Sequence, residues 1–235
     1  MRQTSFNIVH AAILLLCIVI TVTLVIAVSS VNTRDRQRMP NSTQLRGIHQ
    51  GLVTYANSNK NYFPGLGRDG LEDTQVLDWD DEAVPPMRAG LGVDQRFAIL
   101  LHGDYMTPEY LISPSETDPN IKPWPEQGKI TTGHYSYAML QIPDKGGRYD
   151  EWKQTLNSQA IVLSDRNTGT AAKPSSIHTD RGEPWAGSVL WNDNHVGFES
   201  EDWFETKYGD RELNERDRLF ESQDFDNALM IHIGN

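Results

Sequence analysis

Ala11–Val31, AAILLLCIVITVTLVIAVSSV, contains no charged residue and is followed at once by Arg34, Asp35, Arg36 and Arg38. As a helix it extends about 31 Å at about 1.5 Å per residue, the thickness of a bilayer's hydrocarbon core. Its polar groups, Thr21, Thr23, Ser29 and Ser30, can return their hydroxyls to helix carbonyls, whereas a charge at the same depth is costly. The run therefore predicts a transmembrane helix over 11–31 behind a tail over 1–10. A cleaved secretory signal is the competing reading. Ala27-Val28-Ser29 offers small residues at cleavage positions, but the n-region has only Arg2 and the apolar stretch is long for an h-region. No other segment is as apolar, and the mean hydropathy of the whole chain is −0.52.

Beyond Pro40 the sequence reads STQLRGIHQGLVTYANSNKNYFP over Ser42–Pro64. Ser42 or Thr43 can cap a helix in which Leu45, Ile48, Leu52 and Tyr55 or Ala56 recur every three or four residues. This predicts a juxtamembrane amphipathic helix within 32–60, with a kink or short break at Pro40 and an end near Asn57–Asn61.

Charge divides the chain. Residues 1–46 carry five Arg and one Asp, leaving 16 basic against 31 acidic side chains for the remainder, of a net charge of −11 overall. An acidic domain has no electrostatic attraction to nucleic acid or anionic lipid, so nucleic-acid binding is discarded. Cys17 is the only cysteine, which excludes an intrachain disulfide and a thiolate metal site. The basic count beside the span, Arg2 before it and three Arg just after it, leans by charge alone toward a cytoplasmic C-terminal domain.

Residues 61–200 are long enough for one domain with its own core. Gly65–Gly92, rich in Gly, Pro and acid, reads as a long exposed loop, and Val93–Gly103 as a short helix. Pro108–Trp124 reads as a proline-punctuated crossing. Strands are predicted over His134–Leu140, Gln159–Ser164, Gly187–Trp191 and His195–Glu199. The last two flank Asn192-Asp193-Asn194, whose residue types tolerate the positive φ of a tight hairpin. Helices followed by strands, without alternation, predict an α+β fold with an antiparallel sheet. Residues 201–235 form a C-terminal extension, read as helical from the capping Asp210 and the mixed charges of DRELNERDRLFE over Asp210–Glu221.

Several of these stretches together resemble a family. Thr43–Pro64, with Tyr55-Ala56 and the Tyr62-Phe63-Pro64 exit, looks like the post-anchor helix of planctomycete-type pilin-like (prepilin-type) proteins. Leu111-Ile-Ser-Pro-Ser-Glu-Thr-Asp118 is similar to their Cys-Pro-Ser-Asp segment, with Ser113 where cysteine is usual, and Tyr135-Ser-Tyr-Ala138 to their Ser-Tyr strand. His178 with Gly187-Ser-Val-Leu-Trp-Asn-Asp-Asn-His-Val196 resembles their H-X9-DG signature. The resemblance implies a pilin-like fold: a long N-terminal membrane helix packed on an antiparallel sheet. It also implies a single-pass protein of the bacterial inner (cytoplasmic) membrane with its domain in the periplasm, against the lean of the charges. Two departures stand out. His178 and Asp193 are separated by fourteen residues instead of nine, with Glu183-Pro184-Trp185 read as an insertion, and Asn194 replaces the usual glycine. No glycine precedes Gly47 and no acid precedes Asp35, so the prepilin peptidase has no evident substrate.

The expected function is therefore a membrane-anchored pilin-like (pseudopilin-like) structural or interaction protein without enzymatic activity, linked to a type II secretion or pilus-like system. Its expected partners are the membrane and other pilin-like subunits or secretion components. The alternative is an anchored binding module or hydrolase acting on envelope polymers through an acidic, tryptophan-bearing face. His178, Asp193 and His195 are the residues to weigh as a metal or acid/base site, but a turn position gives Asp193 local hydrogen bonding as its task. Asp78, Asp80, Asp81 and Glu82 carry calcium-type oxygen ligands without an Asp-x-Asp-x-Asp-Gly loop, and Asp224 and Asp226 are discounted likewise. Ser115 and Ser164-Asp165 lack a Gly-x-Ser-x-Gly context, and no nucleotide glycine pattern occurs. No catalytic, cofactor or metal residue is assigned. The six tryptophans, Trp79, Trp124, Trp152, Trp185, Trp191 and Trp203, fall mostly in loop-like stretches, either as a recognition surface or as cover for the core.

Overall fold

The computed structural model describes residues 8–65, 92–140, 142, 151–155, 157–170, 172–179, 183–206, 214–220 and 230–231. Within these, the side chains of 8–9, 27–38, 214–217 and 230–231 lie outside the description. The predicted acidic loop and its carboxylates Asp78, Asp80, Asp81 and Glu82 lie outside the described residues, as do Trp79, Asp224 and Asp226.

The chain divides into two compact units, Met1–Met39 and Pro40–Asn235. A single helix, α1 (Ile8–Ser58), contributes to both, with Pro40 inside it. Of the kink or short break expected at Pro40, the break is absent. Proline removes one helical N–H, and that loss is confined to a turn whose next residue, Asn41, is fully buried and held by four side chains. In the first unit the described apolar side chains of α1 are exposed, from Ile13 at 55% to Ile26 at 63%. Thr21 Oγ1 donates to the Cys17 carbonyl at 2.7 Å and Thr23 Oγ1 to that of Val19 at 2.9 Å, the return bonds expected of hydroxyls in an apolar helix. Among the described residues, whose side chains in this stretch end at Ile26, no helix is long and apolar enough to cross a membrane.

In the second unit the predicted stripe is the buried face. Leu45, Ile48, Leu52 and Ala56 have no exposed surface and share one hydrophobic cluster with Tyr137, Leu163, Val189 and Leu190 of the sheet. Helix α1 ends at Ser58, and Lys60 and Asn61 reverse the chain in left-handed conformations, φ 55° and 66°. The exit is then clamped to residues 151–154. Phe63 N donates to the Trp152 carbonyl (3.1 Å), Trp152 Nε1 to the Pro64 carbonyl (2.8 Å), and Phe63 meets the Trp152 ring edge-on at 5.1 Å.

Helix α2 (Val93–His102) coincides with its expectation and buries Phe97, Ile99, Leu100 and Leu101. Short 3-10 turns follow at Pro108–Leu111 and Thr132–His134. The strands are β1 (Tyr137–Leu140), β2 (Ile161–Asp165), β3 (Gly187–Trp191), β4 (Val196–Glu199), β5 (Trp203–Thr206), β6 (Asn214–Arg218) and β7 (Met230–Ile231). The main sheet is antiparallel throughout, in the order β4-β3-β2-β1-β7, with β7 adding two residues to the edge of the four predicted strands. Every residue of β2 is buried, as a central strand covered on both faces requires. The fold is therefore α+β, as expected.

Strands β3 and β4 form the expected hairpin, with Leu190 opposite Val196. Asn194 takes φ 67°, and Asp193 Oδ1 accepts from the His195 N–H at 2.9 Å. The C-terminal extension is not helical where it is described. Asn214–Arg218 is a strand paired with β5, Trp203 opposite Arg218, and Met230–Ile231 belongs to the main sheet. The mixed charges that suit a solvated helix suit a strand equally well. The deciding contacts are nonlocal: Arg218 stacks on the Trp203 ring at 4.2 Å, the Leu219 N–H donates to the Asp202 carbonyl, and Leu219 and Phe220 are buried.

Candidate functional site: a polar network and a cavity at the β2–β3 connection

Strand β2 ends in Asp165, which is fully buried. A buried carboxylate needs donors, and this one receives them from three directions. Asn41 Nδ2 of α1 lies 3.0 and 3.1 Å from its two oxygens, the Ser188 N–H of β3 is 2.6 Å from Oδ2, and His178 Nε2 of the β2–β3 connection is 2.9 Å from Oδ2. Asn41 passes the network on. Its Oδ1 accepts from Ser113 Oγ at 2.9 Å and from the Tyr137 hydroxyl at 2.8 Å, and that hydroxyl is also 2.9 Å from Gln44 Oε1. Burial, followed by the neighbouring Asp165 charge, pushes the Tyr137 phenol well above its ordinary value, so it stays a neutral donor. The hydroxyl of Ser113, where the resembled family has cysteine, is thus a working member of the network.

A second buried cluster adjoins it. Glu116 takes two guanidinium bonds from Arg166, 2.9 Å from Nε and 2.8 Å from Nη2, with a third from Ser136 Oγ at 2.8 Å. Burial raises the Glu116 carboxyl, but the Arg166, Asp118 N–H and Ser136 hydrogen bonds and the Arg166 charge outweigh it, leaving the group below its ordinary value. At the other end of the sheet His49 of α1 lies 3.4 Å from Asn192 Oδ1, whose amide donates to the carbonyls of Lys153 (2.8 Å) and Asn157 (3.0 Å). Burial lowers the His49 imidazole, with Asn192 and Asp193 acting in opposition.

The connection itself is built around Asn167. Its Oδ1 accepts from the Gly169 and Ser175 N–H groups (2.8 and 3.0 Å), and its amide donates to the Thr170 carbonyl at 3.1 Å. A Cβ on Gly169 would sit 2.3 Å from the Lys173 carbonyl oxygen, so the turn accepts only glycine there. Ser176 Oγ accepts from the His178 N–H at 3.1 Å and donates to the Ala186 carbonyl. Thr168, Thr170, Ser175 and Thr179 of the loop line a cavity of about 830 Å³ together with Trp203 and Arg218 of the β5–β6 ribbon, while the hydroxyls of Thr170, Ser175 and Thr179 are engaged in hydrogen bonds within the loop itself. Trp185 forms another wall, fully buried, with its ring edge-on to Phe220 at 5.5 Å.

The structure separates the three residues weighed as a site. His178 pairs with Asp165 and packs edge-on against Phe198, Asp193 serves the turn, and His195 stacks on Trp191 at 4.9 Å. Among the described residues no group of three or more His, Cys, Asp or Glu is placed to hold a metal ion. Ser115 is buried behind the Ser113 turn, and Ser164 Oγ donates to the Asp165 carbonyl. The tryptophans divide. Trp124, Trp152 and Trp185 are core cover, while Trp191 and Trp203 are half-buried. No family model matches the chain, no curated protein matches it, and no solved structure matches it.

Proposed function

We propose that this protein is a single-pass, membrane-anchored, pilin-like structural or interaction subunit of the bacterial cytoplasmic membrane. In this reading its α+β domain lies in the periplasm, in association with a type II secretion or pilus-like system. The observation that carries the proposal is helix α1. One unbroken helix has exposed Ile, Leu and Val side chains along its front and buries Leu45, Ile48 and Leu52 completely along its rear. Exposed apolar side chains of this number along the front need a nonaqueous environment, and the uncharged run Ala11–Val31 matches one bilayer thickness. The antiparallel sheet beneath the rear half, and the order of the family-like segments along the chain, support the pilin-like part of the reading.

The test is protease accessibility combined with intact mass, in intact and osmotically opened cells. A full-length chain whose domain is cut once the outer envelope alone is opened is the expected result. Protection until the inner membrane is broken would reverse the topology, and a chain beginning near Ser30 would remove the membrane from the function. A trimmed, N-methylated chain would overturn the permanent anchor while leaving the pilin-like fold in place.

A further inference from the structure

The cavity at the β2–β3 connection has no task in the anchored-subunit reading. At about 830 Å³ it lies within the range of small-molecule sites and far above the voids that close packing tolerates. What it can bind follows from which of its lining groups are already engaged. The hydroxyls of Thr170, Ser175 and Thr179 serve the loop itself, Arg218 lies on the Trp203 ring, and Glu183 and Asp202 have contacts of their own. Arg166, Thr117, Thr168 and Lys173 still have donors to offer, and all of them line the cavity.

Arg166 is the deepest of these, 7% exposed and fixed by Glu116 through Nε and Nη2. A guanidinium has five N–H donors, of which a bidentate carboxylate takes two. Arg166 Nη1 makes no hydrogen bond among the described residues, yet it is not sealed from solvent. Thr117 adjoins Glu116 in sequence and Thr168 follows Arg166 by two positions; both are exposed, and neither hydroxyl is bonded among the described residues. The loop folds Lys173 back toward them. The Thr168 N–H donates to the Ser175 carbonyl at 2.8 Å, and the Lys173 carbonyl oxygen lies 2.3 Å from where a Gly169 Cβ would stand. The Lys173 ammonium is exposed and has no ion pair among the described residues. Donors of this kind select an oxyanion. Glu116 cancels the charge of Arg166, so Lys173 supplies the single positive charge that balances it, and Glu183 and Asp202 in the same lining oppose a dianion such as a phosphate monoester. Ile177, Pro184 and Trp203 add apolar surface for an organic body. We propose that this cavity binds a small organic carboxylate, held by Arg166 Nη1, Lys173 and the Thr117 and Thr168 hydroxyls, with its hydrocarbon part against Ile177 and Trp203.

The test uses the full chain in nanodiscs, in a buffer free of carboxylate and phosphate. N-acetyl-leucine, N-acetyl-phenylalanine, hexanoate and benzoate are titrated by calorimetry beside their amides, with inorganic phosphate as a separate arm. At least one acid should saturate, and its amide, which lacks the charge, should bind roughly tenfold more weakly. Two variants locate the site. Lys173→Gln should weaken binding about fivefold. Thr168→Glu places a carboxylate beside the Arg166 edge and should abolish binding. Both positions are exposed, so the melting temperature should stay at the parent's value in each. The proposal is overturned if no acid saturates, if acid and amide bind alike, if phosphate binds more tightly than every acid, or if both variants bind like the parent. None of these outcomes depends on membrane topology, so the carboxylate and anchor proposals fail separately.

Discussion

Asn41 and Asp165, 124 positions apart in sequence, meet in the core, with Asn41 Nδ2 3.0 and 3.1 Å from the two carboxylate oxygens. Asp165 also receives the Ser188 N–H and His178 Nε2, so one side chain fixes the helix, strand β3 and the β2–β3 connection against each other. A polar hub of this kind contributes little net energy when complete. Its consequence lies in the cost of breaking it, because each abandoned donor remains buried.

Asp165→Ala should therefore cost about 3–5 kcal/mol in urea unfolding, whereas His178→Ala, which removes one partner at the edge of the hub, should cost about 1–2 kcal/mol. Asp193→Ala, at an exposed turn, should cost less than about 1 kcal/mol. A double-mutant cycle on Asp165 and His178 should show coupling above about 0.5 kcal/mol. Equal costs for Asp165→Ala and His178→Ala would mean that the carboxylate is not the hub.

Asn194 sits at φ 67° in the β3–β4 turn, where the resembled signature carries glycine. Asn194→Gly should be neutral or stabilising, since glycine has no Cβ to strain there. Asn194→Ala should cost about 1 kcal/mol, because alanine has neither glycine's freedom nor asparagine's tolerance of the left-handed region. Melting temperatures of the two variants decide this, and the reverse order would exclude turn strain as the determinant.

These contrasts show what a single sequence exposes. The α1 stripe and the β3–β4 hairpin are legible because their signals are local: apolar residues at helical spacing in one case, turn residues between two short β-prone runs in the other. Asp210–Glu221 misleads because its charges fit two secondary structures, and the choice rests on Trp203 and Asp202, which the local stretch does not contain. The hub is illegible for a similar reason. Asn41, Ser113, Asp165 and Ser188 are ordinary polar residues, and only the fold shows that they converge. The signature-like spacing points to His178, but its partner in the fold is Asp165 and not Asp193. The cavity left a fainter trace, since Trp185 sits in the segment that departs from the family spacing.

Acid should weaken the fold in two steps. The His49 imidazole is lowered by burial, so the native state prefers it neutral. Its contribution is complete above the unfolded value near 6.5 and is lost as pH falls through that value toward the lowered native one. Glu116 is also lowered, so its contribution is complete above about 4.5 and is lost as pH falls further. Melting temperature against pH should decline first below about 6.5 and more steeply below about 4.5. His49→Gln should shrink the upper step to the part left by His134, an imidazole also lowered by burial, and leave the lower step in place, and a wild-type profile flat from neutrality to pH 4.5 would contradict the assignment.

Arg96 supplies the last prediction, because a fully buried cation normally comes with a carboxylate. The Arg96 guanidinium donates to the Leu140 carbonyl through Nη1 at 2.7 Å and lies over the Trp152 ring at 5.1 Å, yet its Nε has no acceptor among the described residues. Burial pulls its pKa down to about 9, which expresses the desolvation of a charge that neither contact fully compensates. Replacing such a group by an apolar side chain of similar length removes the desolvation cost, keeps the packing on Trp152, and leaves one carbonyl without a donor. These terms oppose each other at similar size. Arg96→Met should thus change stability by less than about 1 kcal/mol, and Arg96→Ala, which also opens a cavity beside Trp152, should cost about 3 kcal/mol or more. The pair separates packing from charge. Equal losses in both variants would make the guanidinium itself the essential group, and the Leu140 hydrogen bond the contact that α2 cannot do without.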